Sequence, residues 1–253
     1  MKQLTIWLLG AVLMAGAVGA AEMTLDELLA DHFEALGGLD ELKAIQSIQF
    51  KGIMAMGPGG DVPFTMLFAR PLNMRMEFTM QGMTAVQAYD GETAWSIMPF
   101  MGKTDPEVMA EDQAKNIKEQ ADIDGPLVDW QEKGHQVELL GLEETEGTQA
   151  YKLKIALANG DVRYHFLDSE YFITIKQEGK TTMQGNEVEF ETILSDYKEV
   201  DGLMFPHSIE SKPKGAPSGQ VITIESIELG MDVNDEMFAM PEASAEAATG
   251  TDG

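Results

Sequence analysis

The chain has no cysteine. Disulfides, a thiol nucleophile and a cysteine-linked lipid anchor are therefore excluded, and stability must come from packing. Basic residues are scarce as well: 17 Lys and Arg stand against 43 Asp and Glu, for a formal net charge of −26. A surface that acidic repels phosphate backbones and anionic bilayers, so neither nucleic acid nor an acidic membrane is expected as a partner. Long apolar runs are absent after the first twenty residues. Catalytic signatures are missing too: no HExxH, no GxSxG and no phosphate loop occurs, and His32, His135, His165 and His207 are dispersed. No enzyme, cofactor or metal is expected. Asp122-Ile123-Asp124-Gly125 hints at calcium but lacks the spacing of a ligand loop.

The start of the chain carries Lys2, an apolar run from Leu4 to Val18 and small residues through Ala20 and Ala21. This is the pattern of a secretory signal peptide over 1–20, with a run too short to span a bilayer. An exported, periplasmic domain over 21–241 is expected, followed by a small, polar, acidic and disordered tail over 242–253.

Thr24 and Glu27 form a capping box, and Leu25, Leu28, Leu29, His32, Phe33 and Leu36 recur at helical spacing until Gly37 and Gly38. A short helical turn with Leu39, Leu42 and Ile45 follows. From Gln46 the period becomes two, and turn signals at 57–60, 70–73, 90–91, 159–160 and 201–202 divide the chain into about ten or eleven strands joined by hairpins. The interruption lies between Thr104 and Trp130, where TDPEVMAEDQAKNIKEQ reads as a helix and GPLVDW as the start of another. From Asp105 to Glu146 there are 13 acids against 3 lysines.

The strand LNMRMEFTM alternates without exception: Leu72, Met74, Met76, Phe78 and Met80 share one face. Val62, Phe64, Met66 and Phe68 are in phase in one strand, Tyr151, Leu153, Ile155 and Leu157 in another, Val162, Tyr164 and Phe166 in a third. Ten of the eighteen methionines lie between Met54 and Met109, and methionine adapts to varied apolar partners. A sheet this wide with one apolar face and few helices must curl into a barrel or leave an apolar concavity. Arg70 continues the phase of Phe68 toward that side, so its guanidinium needs carbonyl or carboxylate partners, which a helix end could supply.

ARPLNMRMEF at 69–78, YDGETAWSIMPF at 89–100 and DYKEVDGLMFPHSIE at 196–210 together resemble the LolA-like periplasmic lipoprotein carriers and the outer membrane lipoprotein-sorting proteins. The resemblance implies an α+β, mainly β fold: an incomplete, half-open antiparallel β-barrel with helices as a lid over a hydrophobic cavity for acyl chains. In that reading Phe64, Met66, Phe68, Met74, Met76, Phe78 and Trp95 line the cavity. Leu28, Leu29, Phe33, Leu127 and Trp130 form the lid, and Arg70 takes the place of the arginine that latches it. The expected partners are a lipid-modified protein or lipid, with membrane-bound proteins that load and receive it, and the carrier is a monomer. The alternative is a non-catalytic periplasmic sensor or scaffold that binds lipid or peptide.

Overall fold

The computed structural model describes residues 23–55, 60–183 and 186–242; the signal-peptide pattern, most of the 57–60 turn and the tail beyond 242 lie outside them. Period-two alternation gives thirteen strands: β1 Ser47–Ala55, β2 Asp61–Ala69, β3 Asn73–Met80, β4 Met83–Asp90, β5 Ala94–Met98, β6 Lys103–Val108, β7 Gln136–Thr145, β8 Thr148–Ala156, β9 Val162–Asp168, β10 Thr174–Met183, β11 Asn186–Val200, β12 Leu203–Pro213 and β13 Gln220–Leu229. They form one sheet in the order β6-β5-β4-β3-β2-β1-β13-β12-β11-β10-β9-β8-β7, and every pairing is antiparallel. Two meanders thus meet at β1 and β13. Strands β6 and β7 are the free edges, so the barrel is half open.

The strand count exceeds the ten or eleven that the turn signals suggest. Thr104 to Val108 is edge strand β6 rather than the beginning of a helix. A 3-10 turn at Pro99–Met101, closed by Gly102 in the left-handed region, folds β6 back on β5. Pro106 is tolerated there because an edge strand can spare a ladder N–H. The helix begins only at Glu111. GPLVDW forms no helix; residues 123–134 are a run of turns.

Among the described residues three helices cover the concave face: α1 Leu25–Ala35, α2 Leu39–Ala44 and α3 Glu111–Gln120. The capping box of Thr24 and Glu27 starts α1. Gly37, at φ +108°, ends it where an added Cβ would lie 2.2 Å from the Gly202 carbonyl oxygen, so only glycine permits this close approach. Leu28 and Leu29 of α1 pack with Leu127 on Leu153, Ile155, Leu157 and Leu167 of the β8–β9 region. At the opposite end, Ala114 and Ile117 of α3 and the following Ala121 pack on Met74, Tyr89 and Ala94. Helices α1 and α3 therefore each seal one end of the concavity, and the middle of the sheet is left between them.

Strand β9 reverses the face expected for it. Leu153, which belongs to the α1 core, stands opposite His165, and Ile155 stands opposite Arg163. Arg163, His165 and Leu167 therefore point inward, and Val162, Tyr164 and Phe166 point to the convex side. Phe166 is still only 1% exposed, because the ammonium ends of Lys152 and Lys176 lie 5.0 and 5.4 Å from its ring and their stems cover it. Nearby, Lys176 lies 3.0 Å from Glu178 and 3.5 Å from Glu191, so this part of the convex face is an ion-pair network over apolar stems.

Candidate functional site

Between the two helical caps lies a cavity of about 370 Å³. Its floor is the middle of the sheet, with Ile48, Phe50, Phe68, Leu194 and Phe205; its roof is Phe33 of α1 and Leu36 just after it, Leu42 and Ile45 around α2, and Ile123 to Val128 of the turn run. These walls are largely hydrocarbon. The volume falls in the range of small-molecule sites, roughly 300–1,000 Å³. Two stretches differ: Gln120, Asp122 and Asp124 place polar groups on the roof side, and His32, His165, Thr174, Gln177 and Tyr197 bring polar atoms to the C-terminal side of the same cavity.

Arg70 fastens the roof. It continues the inner row of β2, and its guanidinium makes a fork with Asp124, Nη1 to Oδ2 at 2.5 Å and Nη2 to Oδ1 at 2.6 Å. Nε donates to the Ile45 carbonyl at 2.6 Å and Nη2 reaches the Leu42 carbonyl at 3.4 Å. One side chain thus ties the sheet to the end of α2 and to the loop after α3. Burial opposes ionisation of Asp124, but the hydrogen bonds and charge of Arg70, with Lys133 and Lys43, outweigh it and hold the carboxyl below its usual range. Hydrogen bonding to Asp124 likewise raises the Arg70 pKa.

A second arginine grips the neighbouring stretch. Arg163, on the inner row of β9, forks onto Glu119 of α3 at 3.1 and 3.0 Å. Lys133 binds Asp122 at 2.5 Å and the Gly125 carbonyl at 2.7 Å. Several acids of the 105–146 region therefore act as anchors: Asp124 and Glu119 hold the lid segment to the two halves of the sheet, and Asp122, through Lys133, braces the segment on itself.

The expected lining residues do not form one wall. Phe68 borders the large cavity. Met76 and Phe78 border a second one of about 360 Å³, with Met54, Val62, Met80 and Phe100. Phe64 is buried between Met54, Val62 and Ile224, while Met66 packs against the clusters on either side. Met74 is wholly buried beneath α3.

Trp95 lies on the other side of the sheet, contrary to expectation. The hairpin pairs Tyr89 with Ala94, so Ala94 joins the inner row and Trp95 falls opposite Ala88 in the outer row. There it is fully buried, packs with Val86, Ala88, Ile97 and Met240, and donates from Nε1 to the Phe238 carbonyl at 2.8 Å. Trp95 anchors the C-terminal residues around Phe238 and Met240 and lines neither of these two cavities.

Of the lid residues, Phe33 and Leu127 face the large cavity. Leu28 and Leu29 are sealed against the sheet, and Trp130 packs at the margin of that same cluster. The lining residues missed by pattern reading are Ile48 and Phe50 of β1 and, in the C-terminal half, His165, Thr174, Gln177, Leu194, Tyr197, Met204 and Phe205. The alternation VRYHFLD contains the signal, but its aromatic row looks like the inner one.

No family model matches the chain, and no curated protein matches it either. Solved structures do. A DUF1329 family protein from Desulfovibrio piger aligns over 82% of this chain and 95% of its own, at 12% identity and a TM-score of 0.57. A LolA superfamily protein from Nitrosomonas europaea aligns over 82% and 96%, at 16% identity and 0.55. A domain assigned to outer membrane lipoprotein sorting, from Vibrio parahaemolyticus, aligns over 84% and 94%, at 10% identity and 0.53. With its open thirteen-stranded sheet, concave cavity and helical roof, this chain has the LolA-like fold.

Proposed function

We propose that the protein is an exported, non-catalytic carrier that shelters the acyl chains of a lipoprotein or lipid between the sheet and its helical roof, and hands them on toward the outer membrane. The observation that carries this reading is the apolar cavity under a roof held by few polar bonds. Hydrocarbon in water costs ~0.8 kcal/mol per methylene, so a multiply acylated molecule cannot cross an aqueous compartment unshielded. A carrier must also release its load. A roof clasped by Arg70 and Asp124 suits that demand, because exchanging a few charged hydrogen bonds opens it without unpacking the helical caps.

In this reading Phe68 and Phe50 contact the chain from the floor, Phe33 and Leu127 from the roof, and Arg70 is the latch. Met76 and Phe78 offer a second apolar recess on the same concave face. The fold shared with lipoprotein-sorting proteins supports the same assignment. Membrane-bound loading and receiving proteins would be its partners.

The test is a titration of the purified protein with a fluorescent fatty-acyl probe, with Leu194→Trp as the cavity-filling control. Saturable binding that the variant weakens is expected. Absence of saturable binding to the delipidated protein would overturn the proposal.

A further inference from the structure

The large cavity is not uniformly greasy, and the polar stretch on its C-terminal side has an unused member. His165 is only 6% exposed and lies on the cavity wall. Among the described residues its imidazole has no hydrogen-bond partner. No wholly enclosed side-chain nitrogen or oxygen among them lacks one, so the ring nitrogens of His165 open onto the cavity. Its neighbour is fixed by register: Gln177 of β10 stands directly across the ladder and lines the same space. Thr174 completes the row, 8% exposed.

We infer that His165, with Gln177 beside it, is a hydrogen-bonding subsite for the carbonyl oxygen of an ester- or amide-linked acyl chain, so that the cavity selects acylated ligands over plain hydrocarbon. This rests on the carrier reading and specifies its ligand. Pure hydrocarbon entering the cavity would strip water from the imidazole and leave a buried donor unpaired, which costs binding free energy. A carbonyl restores the bond.

The charge around the cavity argues for a neutral acceptor. Burial, the nearby His32 and Arg163 push the His165 pKa down to about 3, so at neutral pH the ring is an uncharged donor. His32 is already engaged, its Nδ1–H donating to the Phe172 carbonyl at 2.6 Å. Across the cavity stand the carboxylates Asp122 and Asp124, and the cations closest to them, Arg70 and Lys133, are paired with them. A free fatty-acid carboxylate or a phosphate would meet no uncommitted cation here. An ester or amide carbonyl needs none.

The experiment compares a medium-chain diacylglycerol with its dialkyl ether analogue, which has the same chains and no carbonyl, on the intact mature protein. Binding of the ester about tenfold tighter than the ether, the worth of roughly one net hydrogen bond, is expected. His165→Leu should abolish the preference and His165→Gln, which keeps a donor, should preserve it. The wild-type comparison needs no variant, and Gln177→Leu serves if His165→Leu fails to fold. Equal binding of ester and ether by the wild type would overturn the subsite and leave the carrier reading standing; binding of neither would overturn both. Mass spectrometry of material copurified from cells supplies an independent arm. A lipid-modified peptide and a free glycerolipid both carry the carbonyl and are told apart by their fragments; only carbonyl-free hydrocarbon would contradict the subsite.

Discussion

Arg70 and Asp124 are 54 residues apart and meet as a fork on a fork, with N to O distances of 2.5 and 2.6 Å, at the place where roof and sheet come together. The pair is partly buried, with side chains 23% and 13% exposed. Its strength lies in geometry as much as charge, since a guanidinium matches a carboxylate with two parallel bonds while its Nε is left for a backbone carbonyl.

Arg70→Leu should therefore destabilise the protein by about 1–3 kcal/mol, because it leaves Asp124 and the Ile45 carbonyl without their donor. Release of a bound acyl probe should quicken. Arg70→Lys should rescue little, as an ammonium cannot reproduce the fork. Denaturant unfolding and stopped-flow dissociation read the two effects separately. An unchanged dissociation rate in Arg70→Leu would remove the latch from the mechanism.

Trp95→Ala should cost about 3–5 kcal/mol, the usual penalty for emptying a large aromatic site. It should leave probe affinity unaltered, since the indole lies across the sheet from the cavity, against Met240 and the Phe238 carbonyl. Chemical denaturation and the probe titration, run on one preparation, would separate stability from binding.

Filling the floor should do the reverse. Leu194→Trp places a larger side chain in the cavity, where space rather than packed core meets it, so folding should be nearly intact while probe affinity falls by about tenfold or more. Thermal unfolding alongside the titration checks that the loss is local.

Stability should decline as pH falls from about 6.5, well before the carboxylates titrate. His165 has its pKa lowered from 6.5 to about 3, and burial lowers that of His32 in the same direction. The unfolded chain therefore takes up protons that the folded one refuses, so this contribution is complete above pH 6.5 and is lost on acidification. Each such proton gives a slope of up to about 1.4 kcal/mol per pH unit. Asp124, with its depressed pKa, adds its own loss only lower, as pH falls below its ordinary 3.8. Denaturant midpoints between pH 7 and 4 should show the decline, and His165→Gln should flatten it.

Much of the site was legible in the chain and part was not. The inner rows of β2 and β3 follow from alternation: Met74 to Met80 has one strictly apolar face, and Phe64, Met66 and Phe68 stand opposite it across the ladder. The inward aim of Arg70 follows from the same phase. Trp95 was not legible because a turn resets phase: one residue of register across Asp90 to Thr93 decides its side. Strand β9 failed for another reason. Its inner row carries Arg163 and His165 while the more apolar row, with Phe166 at 1% exposed, faces outward, so hydrophobicity pointed to the wrong face, and lysine stems hide that aromatic on the convex side.

By itself the sequence determined the antiparallel meander, the capped first helix, the absence of cysteine chemistry and an apolar inner face, because these depend on residues close along the chain: periodicity, caps and turns. Tertiary structure alone decided that β1 pairs with β13, that Asp124 rather than another of many acids meets Arg70, and that His165 opens into the cavity beside Gln177. Those depend on which distant segments share a sheet edge or a roof, and local propensity carries no record of that choice.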